Sequence, residues 1–163
     1  MQLGEAFVGE GAEAAHINTV LGSREGPVGT AWASALASPS AGHAPFVVVL
    51  QPGLPVQPFT LFVNKAAIAG DRHGQLTWGA AQAGVASGVA DAVADGTVTD
   101  DVQQLALIVA VWVNPAAVDE EAVFANNRFA TAAALAAGAA GSPAVDAVLA
   151  QRDAAWNPYF RQP

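Results

Sequence analysis

The chain predicts an α/β domain of the α+β kind, a two-layer sandwich in which helices cover a mixed sheet. Three observations predict it. Two segments near the N-terminus alternate apolar and polar residues around Gly9-Glu10-Gly11; short unbroken apolar runs such as LALIVAVWV come later; and stretches with an apolar residue at every fourth position separate those runs. Alternation marks a strand with one buried face, an unbroken run a strand covered on both, and the four-residue repeat a helix with one buried side. At 163 residues the length fits one domain, 1–163, with room for a real core. No internal repeat or linker divides it, and element order alone leaves the topology open.

Residues 3–9 and 13–21 read as a leading strand pair. In GPVGTAWASALAS, Pro27 suits an early helical position and Val28, Trp32 and Leu36 share a face, so a helix is expected to end near Pro39. PFVVVLQP reads as one strand and TLFVNKAAI as another, joined by a loop that Pro52, Pro55 and Pro58 stiffen. Val85, Val89 and Val93 define one side of a helix over 78–96, with Asp91 and Asp95 opposite and Gly96 as its cap. LALIVAVWV supplies a buried strand over 105–113, and Asp119 opens a long helix as its N-cap. The tail holds one short helical pattern and an aromatic end, Trp156, Tyr159 and Phe160, expected to dock on the body or on a neighbour.

Composition excludes several function classes. Fourteen acidic and six basic residues give a formal charge of -8, which repels nucleic acid and anionic membranes. Without cysteine there is no disulfide, thiolate nucleophile or thiolate metal site. The N-terminus lacks the basic segment and apolar stretch of a secretory signal, so a cytoplasmic location is expected. The longest apolar run is too short for a membrane helix, which takes about 20 residues. Charged residues make up 12% of the chain, against roughly 25% in a typical domain, and so sparse a charged surface favours an oligomer.

The motifs divide into structural and chemical candidates. Gly9–Ala14 matches the dinucleotide pattern G-x-G-x-x-A, but a strand follows where that pattern needs a helix, so it reads as a hairpin turn. The pairs Asp100-Asp101 and Glu120-Glu121 read as carboxylates that complement helix dipoles. His43 falls at a turn and His73 in a polar loop, and without ligands at metal spacing no metal is expected. Lys65, the chain's one lysine, reads either as a Schiff-base nucleophile of lowered pKa, as a cation that orients an anion, or as a stem that packs while its ammonium reaches water. In EAAHIN, strand alternation puts His16 and Asn18 on one face, where an imidazole beside small alanines can exchange protons with a substrate and an amide can orient it. A satisfied structural histidine remains the alternative.

Taken together, VGEGAEAAHI (8–17), GPVGTAWASAL (26–36), AGHAP (41–45), VNKAAI (63–68), WGAAQAGVASGVADAVADG (78–96), NPAAVDE (114–120) and FATAAAL (129–135) keep a shared order and spacing. In these pieces the chain resembles the formaldehyde-activating enzymes of tetrahydromethanopterin-dependent one-carbon metabolism, from about residue 4 to 160. The resemblance implies a hydro-lyase that condenses formaldehyde with tetrahydromethanopterin or a related reduced pterin, losing water to give the methylene adduct. It also implies a fold like the second domain of ribosomal protein S5 and a homopentamer with pterin sites between subunits. His16 matches the family's catalytic histidine, as the acid that protonates the departing hydroxyl. Asn18, Asn64, Lys65 and Gln82 would position the pterin and its adduct.

The chain departs from the family at several of these places. His16-Ile17-Asn18 stands where His-Ile-Asp is usual, Asn64-Lys65-Ala66-Ala67 for Asn-Lys-x-Thr, Gly79-Ala80-Ala81-Gln82 for Gly-Pro-Ala-Gln, Asn127-Arg128-Phe129-Ala130-Thr131 for Asn-Tyr-Glu-Ala-Thr, and Trp-Asn-Pro-Tyr-Phe where a His-Pro-Phe end is usual. An amide at position 18 orients the imidazole without raising its pKa as a carboxylate does. The rival to the enzyme is therefore a non-catalytic paralogue that binds a pterin or other small ligand, or senses formaldehyde.

Overall fold

The computed structural model describes residues 1–99 and 101–157. Asp100, Tyr159 and Phe160, each named above, lie outside the described residues. Strands β1 (Gln2–Val8) and β2 (Ala15–Ser23) pair antiparallel across a 3-10 turn at Gly11–Glu13. Positive φ at Gly9 (86°) and Gly11 (66°) makes that reversal, a conformation other residues adopt at a cost. It confirms the hairpin reading of GEGAEA.

Next come α1 (Pro27–Ala37), β3 (Phe46–Val47), β4 (Val49–Gln51), β5 (Leu54–Pro55) and β6 (Phe59–Asn64). PFVVVLQP is not one strand. The backbone breaks at Val48, whose N–H donates to Thr60 of the main sheet while its carbonyl accepts from Val56, so β4 leaves the sheet and pairs with β5 in a small hairpin. The proline-rich loop thus contributes a strand, and TLFVNKAAI stops being strand at Asn64.

Helix α2 (Asp71–Gln75) runs through a π-helical stretch, Leu76–Ala81, into α3 (Gln82–Ala94). The helix expected to begin at 78 therefore begins at Asp71, and His73 lies in a helix rather than a polar loop. Polar DRHGQ and Gly74 disguise it. The ring is buried because Nδ1 accepts from the Ala69 N–H at 3.0 Å and Nε2 donates to the Val113 carbonyl at 3.0 Å. Gly96, at φ 81°, follows the helix end as expected.

β7 (Leu105–Trp112), α4 (Glu120–Ala139) and α5 (Val145–Ala150) complete the chain. Asp119 caps α4 by accepting from the Ala122 N–H at 3.0 Å. Asp101 caps a 3-10 turn instead of an α-helix, and Glu120 pairs with Arg72 at 2.6 Å.

The sheet order is β1-β2-β7-β6-β3, with β6–β7 parallel and the other neighbours antiparallel. The parallel pair needs a crossover, which α2 and α3 supply. Ile17, Leu107, Val109, Val111 and Phe62 turn toward α3 and α4 and form the core with Val85, Val89 and Leu135. Gly4 lets α4 touch the sheet, since a Cβ there would lie 1.8 Å from the Ala134 carbonyl oxygen.

On the opposite face α1 covers only one end, with Val28 against Gly22, where a Cβ would lie 2.8 Å from the valine. Val28 is the buried residue of α1, and the expected face holding Trp32 and Leu36 is only partly used. β7 is accordingly covered on one face only, with Ile108, Ala110 and Trp112 half-buried. The other end of this face stays open, and it carries His16.

Candidate functional site

Along β2, Ala15, Ile17, Thr19 and Leu21 are buried while His16, Asn18 and Val20 are half-buried on the open face, as alternation predicts. Register decides what surrounds them. His16 sits between Phe7 on β1 and Trp112 on β7, and Asn18 between Glu5 and Ala110. Glu5 is thus the diagonal neighbour of His16, within reach of a long side chain. Its Oε1 lies 2.8 Å from His16 Nε2, and the Phe7 ring stands 6.1 Å from the imidazole.

Lys65 arrives from the other side. Its backbone N–H donates to the Val111 carbonyl at 2.7 Å, which continues the β6–β7 register one residue past the strand and keeps the side chain on the open face. The ammonium donates to Asn18 Oδ1 at 2.7 Å. Glu5, His16, Asn18 and Lys65 therefore form one polar line across β1, β2 and the end of β6, edged by Phe7 and Trp112.

Electrostatics in this line are balanced. Burial, then the Lys65 charge, lowers the His16 pKa below its usual 6.5, while the Glu5 charge and hydrogen bond raise it without prevailing. Burial pulls Lys65 down to about 8 against the raising influence of Glu5. Because Nε2 faces a carboxylate it carries the hydrogen, which leaves Nδ1 as the nitrogen that gains and loses a proton.

The other two residues expected at the site lie elsewhere. Asn64 is buried on the helix-covered face, where its amide donates at 2.7 Å to both the Gly42 and Ala66 carbonyls; its side-chain Oδ1 accepts nothing among the described residues. His43 joins that clamp through Nδ1, 3.0 Å from the backbone carbonyl of Asn64. Asn64 thereby fixes the turn that carries Lys65. Gln82 accepts from the Val49 N–H at 2.7 Å and so satisfies the strand that leaves the sheet. Asn64 thus points to the opposite face of its strand, and Gln82 meets the backbone where β4 leaves the sheet.

Glu5 is the site residue that sequence reasoning missed. LGEAFV does alternate, but the six residues between β1 and β2 do not fix a register, and without register nothing sets Glu5 beside His16. The substitutions in the Asn127–Thr131 segment fall away from this site. Arg128 makes a two-bond pair with Asp91 on α3, at 2.6 and 2.8 Å, behind the sheet, and Phe129 is exposed.

Among the described residues no group of three or more His, Asp or Glu side chains could hold a metal, and no helix is long and apolar enough to cross a membrane. A cavity of about 460 Å³ between α1 and β6, lined by Arg24, Trp32, Phe59 and Ala106, lies six residues along β7 from Trp112, roughly 20 Å from His16. It is a separate feature.

Comparison with known proteins decides the family. A model described as formaldehyde-activating enzyme (Fae) matches residues 3–160. The chain belongs to the formaldehyde-activating enzyme family. Relatives of this family member include the 5,6,7,8-tetrahydromethanopterin hydro-lyase of Methanosarcina barkeri, 40% identical over 158 residues that cover 96% of this chain and 89% of the relative. The bifunctional enzyme Fae/Hps of Methanococcoides burtonii is 40% identical over 156 residues, 95% of this chain and 39% of the relative. Its counterpart in Archaeoglobus fulgidus is 35% identical over 159 residues, 97% and 40%. The chain thus spans about two fifths of the bifunctional relatives and most of the hydro-lyase.

Proposed function

We propose that this protein condenses formaldehyde with tetrahydromethanopterin or a close reduced pterin, releasing water, with His16 as the group that moves the proton. The observation that carries the reading is the His16–Glu5 contact at 2.8 Å on an open face edged by aromatic rings. Condensation first gives a carbinolamine, and its hydroxyl leaves only when protonated. Protonated Nδ1 supplies that proton, and Glu5 compensates the imidazolium from the far side of the ring. Help of this kind is worth about 10²–10⁴-fold. The carboxylate that position 18 lacks comes from position 5, which answers the departure at Asn18.

Phe7 and Trp112 suit a flat heterocycle, and Lys65 and Asn18 suit the polar edge of the bound adduct. Leu3 and Phe7, 56% and 40% exposed on this face, support a homopentamer in which a neighbouring subunit closes over the site. Residues 1–163 act as a single domain in this reading.

The experiment is a stopped-flow measurement of methylene-pterin formation with and without the protein, run beside light scattering. Acceleration over the spontaneous reaction by a pentamer supports the reading. A rate equal to the spontaneous one with every reduced pterin tried overturns it and leaves a ligand-binding relative.

A further inference from the structure

We propose that Lys65 is itself a catalytic residue: it captures formaldehyde as a Schiff base at Nζ, beside His16, and hands the methylene carbon to the amine acceptor. The inference deepens the reading of the same site and rests on it for the identity of the acceptor.

Four observations carry it. The Lys65 amine is half-buried at the end of β6, on the face that carries the acid–base group. Among the described residues no carboxylate forms an ion pair with it. Its hydrogen-bond partner is a neutral amide oxygen, Asn18 Oδ1 at 2.7 Å. A neutral amine keeps that bond with one hydrogen and leaves its lone pair free for attack, whereas a carboxylate in the same place would hold the ammonium charged. Finally, the titratable groups acting on this line are Glu5 from β1 and His16 from β2, while β7 contributes the uncharged Ala110 and Trp112.

Burial lowers the Lys65 pKa to about 8, so roughly a quarter of the amine is neutral at pH 7.5, against about a thousandth for a lysine of ordinary pKa. The neutral amine is the nucleophile.

The step balances. His16 Nδ1 takes a proton from the Lys65 ammonium, and the freed lone pair forms the N–C bond to formaldehyde as the C=O π pair moves to oxygen. A proton shifts from nitrogen to that oxygen, giving the carbinolamine. His16 then returns its proton to the hydroxyl, the C–O bond breaks, and water leaves the iminium of Lys65. A nitrogen of the acceptor attacks the methylene carbon and its proton passes to Nζ as the C–Nζ bond breaks, which frees the neutral Lys65 amine and leaves the methylene as an iminium on the acceptor; a second acceptor nitrogen closes on that carbon, and its proton restores the ammonium. Formaldehyde and two N–H groups enter; a methylene bridge and water emerge.

The chain's one lysine makes the test clean. The whole protein is incubated with formaldehyde and cyanoborohydride at pH 7.5 without any pterin, and N-methylation of Lys65 is followed by peptide mass spectrometry. The same chain in guanidinium is the control. Expected is methylation of Lys65 on the order of 100-fold faster in the folded protein than in the control, from the neutral fractions above. Asn18→Asp should remove most of that advantage, and Lys65→Arg, which keeps the charge and the stem, should lose at least about tenfold in stopped-flow condensation. Folded-state methylation no faster than in guanidinium, or a Lys65→Arg variant that condenses at the wild-type rate, overturns the proposal. Trapping without any pterin acceleration would leave capture standing and overturn the proposed acceptor; acceleration without trapping would do the reverse.

Discussion

Gly4→Ala tests how the site is built. Gly4 lies next to Glu5 on β1, at the place where α4 meets the sheet, and a Cβ there would stand 1.8 Å from the Ala134 carbonyl oxygen, 2.6 Å from its carbon and 2.7 Å from Thr19 Oγ1. Two of those atoms are helix backbone and cannot rotate away. The helix must retreat by about 1.5 Å to restore contact distance, which strips Ala130, Ala134 and Leu135 from the core, and overpacking of this kind costs up to about 3 kcal/mol or more. For a chain of this length 3 kcal/mol lowers Tm by about 6–12 °C. Gly53→Ala is the control, since φ there is 83° but nothing lies within 4 Å, so only backbone strain of about 1 kcal/mol is added. Guanidinium and thermal unfolding of both variants read the difference. Gly4→Ala within about 0.5 kcal/mol of wild type would refute the close seating of α4 on β1.

Other predictions address the site directly. Glu5→Gln removes the charge that raises the His16 pKa, so the imidazole should titrate lower still in an NMR titration; an unchanged or higher midpoint contradicts the pairing. Lys65→Met should stabilise the protein at pH 7 and flatten its stability above pH 8. The folded pKa of about 8 lies below the unfolded 10.5, so the unfolded chain binds more protons between those values and wild-type stability rises with pH across that window. Unfolding midpoints that do not change between pH 8 and 10.5 would contradict it. Asn64→Ala frees the Gly42 and Ala66 carbonyls and should cost about 1–3 kcal/mol by chemical unfolding, with a drop in turnover because the Lys65 turn loosens. A stability loss with full activity would show that the clamp does not hold the site.

Much of this was legible because local pattern and tertiary structure agree. The alternation of Ala15–Ser23 put His16 and Asn18 on one face, and Asp119 announced α4. What could not be read depends on register or on contacts distant in sequence. Glu5 reaches His16 only through the β1–β2 pairing, and Lys65 reaches Asn18 across two strand interfaces. Val48 is as apolar as its neighbours, and only its bonds to Thr60 and Val56 show that the chain changes sheets there. His73 looked polar because the carbonyl that satisfies it lies on Val113, forty residues away. The resemblance points to Gln82 and Asn64 through their place in motifs, and the fold uses both to hold backbone.

The most direct test of the central claim is the stopped-flow rate of methylene-tetrahydromethanopterin formation by His16→Ala, on protein whose circular dichroism and oligomer size match wild type. The rate is expected to fall about 10²–10⁴-fold below wild type, since removing the imidazole removes the proton donor while the seated strand and helix layer remain. A variant that condenses formaldehyde as fast as wild type would place the acid elsewhere and contradict the account.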